Sequence, residues 1–133
     1  MDQRRSKFFA ELTADLCEAV KLTVELQTPL EDGKTKLDHL IQVEQSTGRS
    51  HVPDVEIPPH GMHVWDWFWT LSNARGSSGF GASPLSYTEI RAWIEVTGVS
   101  VHPWEIDAIR AMDGAYMQAQ AEMSKAKSSK GKK

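Results

Sequence analysis

Between Ser6 and Met123 the large apolar residues recur three or four positions apart, and no stretch alternates by two over the length of a strand. Such spacing puts one apolar stripe on a helix and leaves no face for a sheet to bury. The breaks between stripes are marked by proline and glycine: Thr28-Pro29, Asp32-Gly33, Gly48, Pro58-Pro59, Gly76 to Pro84 and Gly98. These features predict an all-α chain of about five helices, all within one domain.

The first helix is expected from about Ser6 to Gln27. Phe9, Leu12, Leu16 and Val20 form its stripe, widened by Phe8, Ala19, Leu22 and Leu26. A second helix is expected over about Lys36 to Ser46, with Leu37, Leu40 and Ile41 inward and Gly48 as its terminator. From Arg49 to Gly61 three prolines are interspersed with Val52, Val55 and Ile57, which reads as an extended connector laid across the core. The third helix, Met62 to Ala74, carries Trp65, Trp67, Phe68 and Trp69. The loop Arg75 to Pro84 follows. Ser86-Tyr87-Thr88-Glu89 has the form of a capping box, with Leu85 and Ile90 as its hydrophobic staple. Ile90, Trp93, Ile94 and Thr97 are the expected inner face of this fourth helix, and Gly98 its stop. The fifth opens at His102-Pro103, with proline at the first helical position and Glu105 and Asp107 near the positive end of the helix dipole. Ile106, Ile109, Met112, Ala115, Tyr116 and Ala119 carry its apolar face to about Met123.

The net charge of −3 is unevenly divided. Lys125, Lys127, Lys130, Lys132 and Lys133 fall in the last ten residues, and without them 10 basic residues face 18 acidic ones. Residues 124–133 hold no apolar side chain larger than alanine, so a disordered Lys-rich end is expected after a helical domain at 1–123. This end either solubilises the chain or makes a weak electrostatic contact with an acidic partner. The acidic body opposes a nucleic-acid surface. No apolar run is long enough for a bilayer, and Met1 to Arg5 precede no signal core, so a cytoplasmic protein is expected.

Chemistry-bearing patterns are few. Cys17 is the only cysteine, next to Leu16 and near Val20, and reads as an apolar filler. His60 and His63, with Asp66, could in principle ligate a metal, but His60 stands before the helix and no further ligand has the right spacing. The glycine-rich loop lacks the lysine of a phosphate loop, and Glu105 and Asp107 do not face each other on a helix. Neither enzyme nor cofactor is expected. Helices four and five with their short turn have the outline of a helix-turn-helix, so a small DNA-binding regulator is the alternative reading. Trp104, Glu105 and Asp107 would then turn negative charge to the phosphates. Trp67 points away from Trp65, Phe68 and Trp69, so it either packs under the first helix or lies on a contact surface.

The run Trp65 to Arg75, then Pro84 to Ile90 with Trp93 and Thr97-Gly98, then Pro103 to Ile109 with Met112-Asp113, resembles the tail assembly chaperones of siphophages and related prophages. In that family an aromatic helix ends near an arginine, and a glycine-containing loop leads to a Pro-Leu start. A tryptophan helix closed by Thr-Gly then precedes a Pro-Trp-Glu helix ending at an aspartate. His39-Leu40 and Glu44 to Gly48 resemble its upstream part, so the likeness covers about Leu37 to Tyr116. The resemblance implies a stoichiometric helper in the host cytoplasm. It would hold the phage tape-measure protein soluble, help recruit tail-tube subunits, and be absent from the mature virion. Trp67, Arg75, Phe80 and Trp104 are the expected partner-binding residues. Arg75 has the alternative of capping the third helix. No membrane and no nucleic acid enter this role, and self-association stays open.

Overall fold

The computed structural model describes residues 3–76 and 81–131, with side chains to Lys125. Among these residues there are five α-helices: α1 (Gln3–Gln27), α2 (Lys36–Thr47), α3 (Met62–Asn73), α4 (Tyr87–Thr97) and α5 (Pro103–Gly131), with a 3-10 turn at Pro59–Gly61 before α3. The only β-type pairing among them is an isolated bridge between Pro29 and Thr35. The chain is all-α, as its periodicity predicts.

The long stripe of α1 buries Leu12, Leu16, Ala19, Val20, Val24 and Leu26. Phe8, counted with that stripe, is instead 45% exposed. The α1 stripe meets Val64, Phe68 and Leu71 of α3, Ile90 of α4, and Ala108, Ile109, Met112, Ala115 and Ala119 of α5. α1 and α5 run side by side in the same direction. Phe9 stacks on Trp104 at one end, and Glu25 and Leu30 share a cavity wall with Ala119 and Met123 at the other. The alanines of α5 let the two helices approach closely.

Helix ends follow local chemistry. Gly48 and Gly98 take left-handed conformations, and their amides close α2 and α4 on the carbonyls of Glu44 and Ile94. Ser86 Oγ accepts from the Glu89 amide at 3.1 Å. The reciprocal arm differs from the predicted box, because Glu89 Oε1 accepts from the Ser86 hydroxyl rather than from its amide. Leu85 and Ile90 are both buried. Thr97, expected on the inner face of α4, is exposed, and its hydroxyl donates to the Trp93 carbonyl at 2.7 Å.

α2 is the least anchored helix. It has no buried residue; Leu37 and Leu40 are half-buried, and Ile41 is exposed. Burying an aliphatic side chain contributes about 1.5–3 kcal/mol, so α1 is held by packing and α2 chiefly by its ends. At its N-terminus Thr35 and Asp38 form a full capping box, with Thr35 Oγ1 accepting from the Asp38 amide and Asp38 Oδ2 from the Thr35 amide.

The connector is extended, with Val52, Val55 and Ile57 half-buried and Ile57 packed on the core. It delivers Gly61 against α1, where an added Cβ would come within 3.1 Å of Leu16 Cδ1 and 3.2 Å of Leu12 Cδ1. A glycine lets this turn lie flat on the leucine stripe. At the other end of the chain, Met123 is the last α5 side chain against the core. Helical backbone continues to Gly131, and Ser124 and Lys125 are exposed.

Candidate functional site

α3 separates two groups of aromatic rings. On one side Trp65 and Trp69 meet edge to face at 5.5 Å, Phe68 lies 5.0 Å from Trp69, and Tyr116 of α5 is about 6 Å from both Phe68 and Trp69. Phe68 is fully buried, so this is the inward group that helical spacing predicts.

The second group runs across five elements as a continuous ladder. His60 of the 3-10 turn meets Phe8 at 5.7 Å, Phe8 meets Phe9 at 5.5 Å, and Phe9 stacks on Trp104 at 4.5 Å. Trp104 lies 6.0 Å from His63, His63 4.9 Å from Trp67, and Trp67 5.6 Å from Trp93 of α4. Trp67, Trp93 and Trp104 are half-buried, their inner edges on the core. Offset and edge-to-face contacts of this kind fix ring orientation as well as burying area. Phe8 is an exposed member of the ladder, and Met62 at 44% and Val96 at 86% are exposed apolar side chains close to it in sequence. Trp67 and Trp104 are therefore members of one surface. Trp67 packs edge to face on Trp93 of α4 and touches the core.

The ladder is pinned from below by a carboxylate. Glu105 is buried, accepts from the His102 amide at 2.7 Å through Oε1, and pairs with His63 Nε2 through Oε2. It stands at the third helical position and caps the α5 start. Spacing suggested only a helix-dipole role for Glu105, and Asp66 as the neighbour of His63; the partner from α5 was not visible in the spacing.

A second buried carboxylate holds Arg75. The Arg75 side chain is 4% exposed, with Nη2 2.6 Å from Asp113 Oδ1. Nη1 donates to the Ser83 carbonyl at 2.9 Å, Nε and Nη2 reach Ser72 Oγ, and the guanidinium lies 4.3 Å from the Tyr116 ring centre. Asp113 Oδ2 accepts from the Leu85 amide at 2.9 Å, and the Ser83 amide donates to the Gly76 carbonyl at 3.1 Å. These bonds close the base of the loop between α3 and α4. Arg75 thus faces inward, as a strut between α3, the loop and α5. It bonds Ser72 Oγ and the loop carbonyl of Ser83 with its side chain, in place of the α3 carbonyls of the capping alternative. Phe80 lies outside the described residues.

Two grooves flank α1. One, of about 830 Å³, lies between α1 and the connector, with Leu22, Val55 and Ile57 on its walls and Asp15, Glu18, Glu25, Asp54 and Glu56 among its lining residues. The other, of about 570 Å³, lies between the α1–α2 turn and the later part of α5, around Leu30, Ala119 and Met123.

Other chemistries find little footing. Among the described residues no three His, Cys, Asp or Glu side chains are grouped to hold a metal; His60 packs on Phe8 and His63 on Glu105. Cys17 is half-buried, and burial pushes its thiol pKa up, Glu18 adding to the effect and Lys21 opposing it. The α5 start that a helix-turn-helix would offer to DNA is occupied, Trp104 by Phe9 and Glu105 by His63. No described helix is long and apolar enough to cross a membrane.

No curated protein and no solved structure matches the chain. A family model described as phage tail assembly chaperone matches residues 49–118, more than half of the sequence. The matched span takes in the connector, α3, α4 and most of the packed part of α5, and with them Trp67, Trp93, Trp104 and the Arg75–Asp113 strut. The chain belongs to the phage tail assembly chaperone family.

Proposed function

We propose that this chaperone acts by holding the tape-measure protein in soluble form and by helping to recruit tail-tube subunits, which then displace it. The observation that carries this reading is the aromatic ladder from Phe8 to Trp93, whose rings are fixed by one another yet only half covered. Rigid, partly exposed aromatic rings give large contact area at low entropic cost. A long apolar helix laid across them would bury its stripe in the helix-in-groove manner. Trp67 and Trp104 are the proposed anchors. Arg75 has a supporting role, holding the base of the loop, and Phe80 remains a contact proposed from sequence. The work is stoichiometric rather than catalytic and takes place in the host cytoplasm, the protein leaving before the virion is complete.

Co-expression with a tape-measure fragment tests this. The fragment is expected to stay soluble and to co-purify with the chain. Trp67→Ala is expected to weaken the complex by about tenfold or more, the scale of a contact hot spot of ~2 kcal/mol. Unchanged solubility of the fragment and no complex with the unaltered chain would refute the role.

A further inference from the structure

The groove between α1 and the connector is not part of the aromatic ladder, and its α1 wall lies outside the family match. Its walls are buried Ala19 and half-buried Leu22, Val55 and Ile57, and its rim is acidic. Asp15, Glu18, Glu25, Asp54 and Glu56 are all exposed, against a single lining cation, Lys21. Lys21 is already committed to Glu18 at 3.8 Å. No other ion pair among the described residues involves a carboxylate of this groove. An apolar floor under a ring of carboxylates suits one side chain in particular. Lysine lays an aliphatic stem on apolar surface while its ammonium stays at the wet edge.

The chain itself supplies such lysines. Five of them lie between Lys125 and Lys133, separated only by alanine, serine and glycine. That segment has nothing with which to join the core of its own domain. The α5 backbone carries it helically eight residues beyond Met123, to Gly131, a distance of about 12 Å. Met123 already sits beside the C-terminal end of α1, so the α5 backbone runs on past the groove of its own chain rather than into it. Two bodies that each carry excess negative charge repel, and a basic segment reaching across would offset that repulsion.

We propose that the Lys-rich C-terminal segment of one copy docks in the α1–connector groove of a second copy, so that the chaperone self-associates through complementary charge. The contact is weak and screened by salt, as exposed ion pairs are.

Sedimentation equilibrium of the full chain tests this without any phage partner, so its outcome is independent of the tape-measure reading. At about 0.05 M salt the chain is expected to self-associate, and at about 0.5 M, where the screening length falls severalfold, to revert to monomer. Changing all five terminal lysines to glutamate, or combining Asp54→Lys with Glu56→Lys, should each abolish association. Both sets of positions are solvent-facing or terminal, and circular dichroism would verify the fold. In a mixture of the two variants the unaltered lysine segment of one still meets the unaltered acidic groove of the other, so mixing is expected to restore association. The proposal is overturned if the unaltered chain stays monomeric at low salt, or if association survives loss of the terminal lysines. It is equally overturned if a synthetic peptide of residues 124–133 binds the groove while the full chain remains a monomer, which would place the segment in its own groove.

Discussion

Arg75 and Asp113 illustrate how much a single residue pair decides here. Both side chains are nearly buried, at 4% and 8% exposure, and each also bonds the loop between α3 and α4. Removing one partner of such a pair leaves a charge without compensation in a low-dielectric site. Arg75→Ala is expected to destabilise the fold by about 3–5 kcal/mol, readable as a lower urea midpoint. Arg75→Lys keeps the charge but loses the planar fork that reaches Asp113, Ser83 and Ser72 together, so it should recover only part of that loss. Sequence reading picked out both residues as landmarks of a family pattern without linking them. Nothing in a chain order tells an arginine which aspartate it will meet. Cys17 was more legible in part: its apolar neighbours foretold burial, and the thiol is half-buried. Its raised pKa, caused mainly by desolvation, predicts slower thiol–disulfide exchange at pH 8 than an unhindered thiol, measurable with a chromogenic disulfide. Labelling as fast as that of free cysteine would show the thiol to be open.

Among the elements, α2 is the one whose stability rests on its ends. Thr35→Ala removes the acceptor for the Asp38 amide and is expected to cost about 1 kcal/mol. Because α2 buries no side chain, the loss should appear as faster amide exchange across residues 36–47 more than as a lower global midpoint. The same cap is acid-sensitive. The hydrogen bond from the Thr35 amide, first among its causes, holds the Asp38 carboxyl below its ordinary 3.8. A depressed carboxyl pKa stabilises the folded helix above that ordinary value, and the benefit disappears as pH falls through the lower folded value. α2 is therefore expected to loosen as the pH drops below about 4, as seen by exchange or by NMR shifts of its amides. This capping box was present in the sequence as Thr-x-x-Asp but lacked the Glu or Gln that marks the usual pattern. Ser86 to Glu89 has the usual residues and makes only half of the reciprocal bonds. Side-chain length and local rotamer, which spacing does not encode, decide whether the return bond reaches the amide.

For the whole molecule, the arrangement separates two surfaces of different character. The aromatic ladder offers rigid apolar edges, while the α1–connector groove offers carboxylates over a narrow apolar floor. Val96 is 86% exposed and sits one helical turn from Trp93, so Val96→Lys should leave stability within about 0.5 kcal/mol. If the ladder is the contact face, the variant should still weaken co-purification of a tape-measure fragment. Full retention of the complex would move the contact elsewhere. What the sequence alone determined is local: which segments are helical, where glycine and proline end them, and which side of each helix is apolar. Those properties follow from hydrogen bonds and side-chain contacts within three or four residues, and they are written in consecutive letters. Tertiary structure alone decided which apolar sides meet. It laid Phe9 of α1 on Trp104 of α5, gave His63 its partner in Glu105, and set the connector beside α1 to form a groove. These are meetings between residues far apart in the chain, settled by how helix surfaces interlock, and periodicity names a buried face without naming its neighbour.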